Sequence, residues 1–203
     1  WGAVSTSASA PVAPATAAQQ RQDPFAGFDE FVAATMKQWN VPGLAIAVIR
    51  DGKVLLAKGY GTRDIESGAP VTPSTLFAIG SISKSFTVTA LGMLVDEGKL
   101  DWDKPLRNYL PDFQLYDPVA SERFTPRDLV THRSGLPRHD LVWYGSDLTR
   151  AEMYRRLRFL PPSRDFRAAY QYQNLMYMTA GLLGRRFSGM RWKAFVRQRI
   201  FQP

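Results

Sequence analysis

The stretch Phe77–Thr87, FAIGSISKSFT, sets a serine three residues ahead of a lysine and directly after a glycine. With 13 Ser and 7 Lys in 203 residues, random placement supplies about half an S-x-x-K match, so these letters alone decide nothing. Helical spacing gives them physical sense. Positions three apart share a helix face, so the Lys84 amine can reach the Ser81 hydroxyl. Ser81 opens a predicted helix, Ser81–Val95, closed by Gly98, and unpaired N–H groups at such a start favour developing negative charge. A serine hydroxyl is a weak nucleophile without a base, and a lysine serves as one only where burial or nearby positive charge lowers its pKa. A capped helix with a surface lysine fits the same letters, and both readings stay open on this stretch.

Toward the N-terminus, Phe28, Phe31, Val32, Thr35, Met36 and Trp39 recur at helical spacing, and Val41-Pro42-Gly43 ends that helix. Leu44–Arg50, the pair Asp51-Gly52 and Lys53–Tyr60 then predict a hairpin, since Asp-Gly suits a turn with positive φ at both central residues. Leu44–Ile49 is almost continuously apolar, which predicts a strand covered on both faces. Residues 1–22 are rich in Ala, Ser, Thr and Pro, and the small residues around SASA read as the cleavage end of a secretory signal. Export to a periplasm or the medium is therefore expected, with this leader outside the fold.

Toward the C-terminus the pattern turns helical. Thr125 caps a helix with Pro126 at its first position, and Thr149–Glu152 matches a capping box. Asn174–Gly189 and Arg191–Phe201 read as further helices. Two early strands and later helices make an α/β (α+β) domain over residues 23–203, with a helix and hairpin at 23–60 and a helical region at 61–203. A hairpin alone does not complete a sheet, so further strands are expected from a C-terminal segment missing from this chain.

A second motif changes the weight of the first. Tyr172-Gln173-Asn174 stands at the entry to an apolar helix, and alternate residues of an extended segment face the same way. A phenol beside a cationic lysine loses its proton more readily and can act as base and then acid. The Asn174 amide is expected to hold Lys84 or a substrate carbonyl.

With these two motifs in order, the chain resembles the penicillin-recognising serine hydrolases, in the branch of class C β-lactamases, family VIII carboxylesterases and D-amino-acid peptidases. The resemblance runs from about Phe25 to the chain end. It is carried by VPGLAIAVIRDGKVLLAKGYG, TLFAIGSISKSFT, LVDEGKLDWDKPLRNYLPDF, LVTHRSGLP and YQYQNLMYMTAGLLG. It implies a β-lactamase/transpeptidase-like fold, an antiparallel sheet flanked by helices with a mostly helical subdomain. It also implies that Ser81 is acylated, that Lys84 is its proton partner, that Tyr172 is the general base and that Asn174 orients substrate and Lys84. The Ser81 N–H would be half of an oxyanion hole, with no cofactor and no metal. An ester, amide or β-lactam would be hydrolysed, as a small molecule or peptide, with esterase or peptidase activity favoured. The Lys-Thr-Gly or His-x-Gly element that the family carries after Tyr-x-Asn is absent from this sequence.

Other classes have less material. Cysteine is absent, and two histidines leave little for a Ser-His-Asp triad or a metal site. His132, in THRSGLP, sits in what the resembled family uses as a turn, and His139-Asp140 reads as loop surface. Trp143 and Tyr144 are candidates for the substrate entrance. No apolar run reaches membrane-span length. The net charge of +8 is concentrated in residues 150–203, but its basic residues lie on apolar-periodic helices and read as solvated faces, not as a nucleic-acid site. A non-catalytic relative using the fold for binding or assembly is the competing expectation.

Overall fold

The computed structural model describes residues 23–202, and the leader read over residues 1–22 lies outside them. The described residues divide into two units, one ending at Phe77 and one beginning at Ala78.

In the first unit, helix α1 spans Phe28–Trp39 and stops where Asn40 turns left-handed at φ 53°, donating its N–H back to Met36 and Lys37. The antiparallel strands β1 (Gly43–Arg50) and β2 (Lys53–Asp64) follow, and a short β3 (Ala69–Pro70) pairs with β2. Asp51 and Gly52 take φ of 50° and 71°, the turn that their dipeptide predicts. Asp29 of α1 accepts hydrogen bonds from Lys58 and from the Tyr60 hydroxyl of β2. The expected double cover of Leu44–Ile49 is not found. Side chains of β1 alternate between half-buried and exposed, and Ile49 is 65% exposed. Phe31 and Trp39, expected on the apolar face of α1, are exposed as well. The physical reason is a shortage of layers: among the described residues this unit supplies one helix to a three-stranded sheet, and β1 is an edge.

The second unit is helical: α2 (Ser83–Asp96), α3 (Pro118–Arg123), α4 (Pro126–Val130), α5 (Arg150–Arg156), α6 (Asn174–Ser188) and α7 (Trp192–Val196). A 3₁₀ turn, Gly80–Ile82, leads into α2, and a π-helical turn, Arg197–Phe201, follows α7. The predicted capping box of Thr149 with Glu152 forms, and the Thr125 cap is completed into a second box by Asp128. The core is built from Leu91 and Leu94 of α2, Leu175, Met176 and Leu183 of α6, and Phe113, Phe124, Leu129 and Leu157 around them. No helix among the described residues is long and apolar enough to cross a membrane.

One charged contact fixes the segment that approaches α6. The buried Asp128 carboxylate caps Thr125 and accepts two hydrogen bonds from Arg167, at 2.9 and 2.7 Å. Removing one partner of a buried pair leaves a charge without compensation, at a cost of about 3–5 kcal/mol. Because the Arg167 side chain is 43% exposed, Arg167→Met is expected at the lower end, about 3 kcal/mol. Urea denaturation of the variant measures this, and an unchanged midpoint would show the pair to be neutral.

Candidate active site

Three side chains from two distant stretches close on one another. Ser81 lies in the 3₁₀ turn and Lys84 one residue into α2, so Lys84 reaches back along the helix face and its Nζ donates to Ser81 Oγ at 2.9 Å. The Tyr172 hydroxyl stands 2.5 Å from Ser81 Oγ and accepts from Lys84 Nζ at 2.6 Å. Each of the three is thus bonded to the other two. Ser81 is exposed, and Lys84 and Tyr172 are half-buried. This is an accessible hydroxyl backed by two groups able to carry its proton.

The charges around Tyr172 point the same way. Partial burial pushes its phenol up, but hydrogen bonds from Lys84 and Ser81 and the charges of Lys84 and Arg138 outweigh this and hold it below the ordinary tyrosine value. Lys84 Nζ is 4.7 Å from the Tyr172 ring centre, and the Arg138 guanidinium carbon is 5.0 Å from it. A phenolate so placed can accept the Ser81 proton. The Ser81 N–H belongs to the opening turn, where such groups lack an intrahelical acceptor. It is therefore available to an oxyanion.

The loop after α4 holds Tyr172 in place. The Gly135 carbonyl accepts from the N–H groups of Ser163 and Arg164, and the Arg133 carbonyl accepts from Arg167. The Gln173 amide donates to the Pro137 carbonyl at 2.6 Å. Gly135 has φ 79°, and a Cβ there would run into the Arg164 carbonyl, which is why the loop needs glycine.

Asn174 follows Tyr172 by two residues, at the start of α6. The intervening Gln173 is extended, with φ −138° and ψ 118°, and Asn174 is half-buried. The Asp140 carboxyl lies below the usual range because of Arg138 first, against the opposing effect of burial, with Trp143 and Asn174 adding smaller contributions. Arg138 Nε donates to Asp140 at 2.7 Å and Trp143 Nε1 at 3.0 Å. Asp140 is therefore half-buried and structural rather than plain loop surface. Tyr144 is exposed and Trp143 half-buried beside this network. Arg138 is the rim residue that the sequence reading left out, and no spacing rule would have paired it with Tyr172.

A family model described as Beta-lactamase matches residues 28–203. The chain belongs to the β-lactamase family. Among curated relatives, an unguisins hydrolase from Aspergillus campestris is 34% identical over 186 residues, which cover 87% of this chain and 34% of that protein. Protein flp from Staphylococcus aureus is 29% identical over 163 residues, covering 76% and 32%. The chain spans about a third of the length of these curated relatives. Among solved structures, an octameric penicillin-binding protein homologue from Pyrococcus abyssi aligns with a TM-score of 0.77 at 30% identity, covering 89% of this chain and 43% of that one. The D-amino acid amidase from Ochrobactrum anthropi SV3 aligns with a TM-score of 0.69 at 28% identity, covering 83% and 46%. The fold is thus the β-lactamase/transpeptidase-like one that the motifs imply, and hydrolases stand among the relatives of this β-lactamase-family chain.

Proposed function

We propose that this chain carries the nucleophile and proton-transfer groups of a serine acyl hydrolase. The observation that supports it best is the closed triangle of Ser81, Lys84 and Tyr172. Ser81 Oγ attacks the substrate carbonyl carbon while Tyr172 takes its proton, and the Lys84 ammonium stabilises the phenolate form that accepts it. The carbonyl π electrons move onto oxygen, which faces the Ser81 N–H. When the tetrahedral intermediate collapses, the bond to the leaving group breaks, and Tyr172 returns the proton to that group. An ester now links the acyl group to Ser81. Water, giving its proton to Tyr172, repeats the attack and releases the acid, after which Ser81 regains its hydrogen.

Amides and esters are the proposed substrates, β-lactams being a special amide. The amidase among the structural relatives supports an amide. Arg138 at the rim would meet the substrate beside Tyr172, with Asn174 orienting substrate and Lys84. The Lys-Thr-Gly or His-x-Gly element and the second oxyanion donor are proposed to come from polypeptide outside these 203 residues.

The test is pre-steady-state kinetics of the intact natural protein with a p-nitrophenyl ester, a p-nitroanilide and a chromogenic cephalosporin. The expected result is a burst of chromophore stoichiometric with protein, followed by slower turnover, on at least one of them. Inertness toward all three would favour the competing role of a non-catalytic binding relative.

A further inference from the structure

The proposed mechanism uses Ser81, Lys84 and Tyr172 and leaves His132 over, a buried residue only 7% exposed. Its φ of 58° is left-handed, a conformation that few residues with a side chain adopt. The backbone so turned lets one residue hold the chain on both sides of Tyr172. The His132 carbonyl accepts the Gln171 N–H at 2.7 Å, and its ring Nδ1 accepts the Gln173 N–H at 3.0 Å. Between those two anchors the imidazole stacks on the Tyr172 ring, with centres 4.5 Å apart and planes 30° from parallel. Tyr177 of α6 and Tyr170 close the remaining sides at 5.1 and 5.4 Å.

We infer that His132 is a positioning residue that aims the Tyr172 hydroxyl at Ser81 and Lys84, and that it does so as neutral imidazole with its proton on Nε2. This rests on reading Tyr172 as the general base. An Nδ1 that accepts an amide N–H carries no proton, which fixes the tautomer. Protonating it would set two donors against each other and place a second cation near Lys84. The groups that face the ring are Tyr170 and Tyr172 from the approach segment, Tyr177 from α6 and Lys84 from α2. Burial, and then the charge of Lys84, hold the His132 pKa below 6.5, so the neutral form is the native one. The sign follows: the unfolded chain binds this proton more readily. The alignment is intact above about pH 6.5 and is lost as pH falls through the lower folded value.

Two variants separate the ring from the acceptor. His132→Phe keeps an aromatic face and removes Nδ1. His132→Asn keeps an acceptor near the Nδ1 position and tolerates left-handed φ. The rate of covalent labelling at Ser81 is expected to fall about 10²-fold in His132→Phe, the scale of an ångström-sized misplacement, and to recover in part in His132→Asn. The rising limb of the pH–rate profile should move to higher pH in the Phe variant, because a misaimed phenol loses the bonds that lower its pKa. A purely structural residue would not move that limb. A folded His132→Phe protein with wild-type rate and profile would overturn the inference. ¹⁵N imidazole NMR of the intact wild-type protein decides it independently of folding losses. Unprotonated Nδ1 with protonated Nε2 is expected, and an Nδ1–H tautomer would refute the inference. That spectrum is also independent of catalysis, so failure of the hydrolase reading and failure of this one are distinguishable.

Discussion

Ser81→Ala is expected to lower acylation by at least about 10⁴-fold, since no other hydroxyl is bonded to both Lys84 and Tyr172 among the described residues. The neighbouring serines do not substitute. Ser85 is on the same helix, but its hydroxyl donates to the Ile82 carbonyl at 2.7 Å. Alanine fits a helix start without strain, so stability should change little. The measurement is the single-turnover rate with a p-nitrophenyl ester, alongside thermal unfolding as a control. A variant that is folded and retains the burst would remove Ser81 from the mechanism.

Tyr172→Phe is expected to cost about 10²–10⁴-fold, the usual contribution of a positioned general base. Phenylalanine keeps the ring that stacks on His132 and lies near Lys84 and Arg138, so the change isolates the hydroxyl. The wild-type rate should rise with pH, because the base is the phenolate and its fraction grows as pH passes the Tyr172 pKa. That pKa is held below 10 by Lys84 and Ser81, with Arg138 adding its charge, against the opposing effect of burial. In the variant this limb should disappear. If the rate and the limb both survive, Lys84 alone is the base.

The features that were legible in the sequence are the local ones. Asp51-Gly52 set the hairpin because no longer-range contact competes with a two-residue turn, and Thr125 and Thr149 capped their helices through side chains three residues apart. Ser81 and Lys84 were legible for the same reason, one helical turn apart. Tyr172 was reached through its own motif and the family resemblance, not through any spacing to Ser81. Two features escape because they depend on the third dimension. The hold of His132 on Gln171 and Gln173 joins residues about 40 positions apart through a left-handed backbone, which leaves no periodic trace. Apolar continuity in β1 signalled two covered faces, but cover depends on the layers present and not on the strand.

The most direct measurement is intact mass and peptide mapping of the natural protein after exposure to a fluorophosphonate serine probe. A single adduct on Ser81, absent from Ser81→Ala, is the predicted result. No adduct, or an adduct on Ser83 or Ser85 instead, would contradict the assignment of Ser81 as the nucleophile.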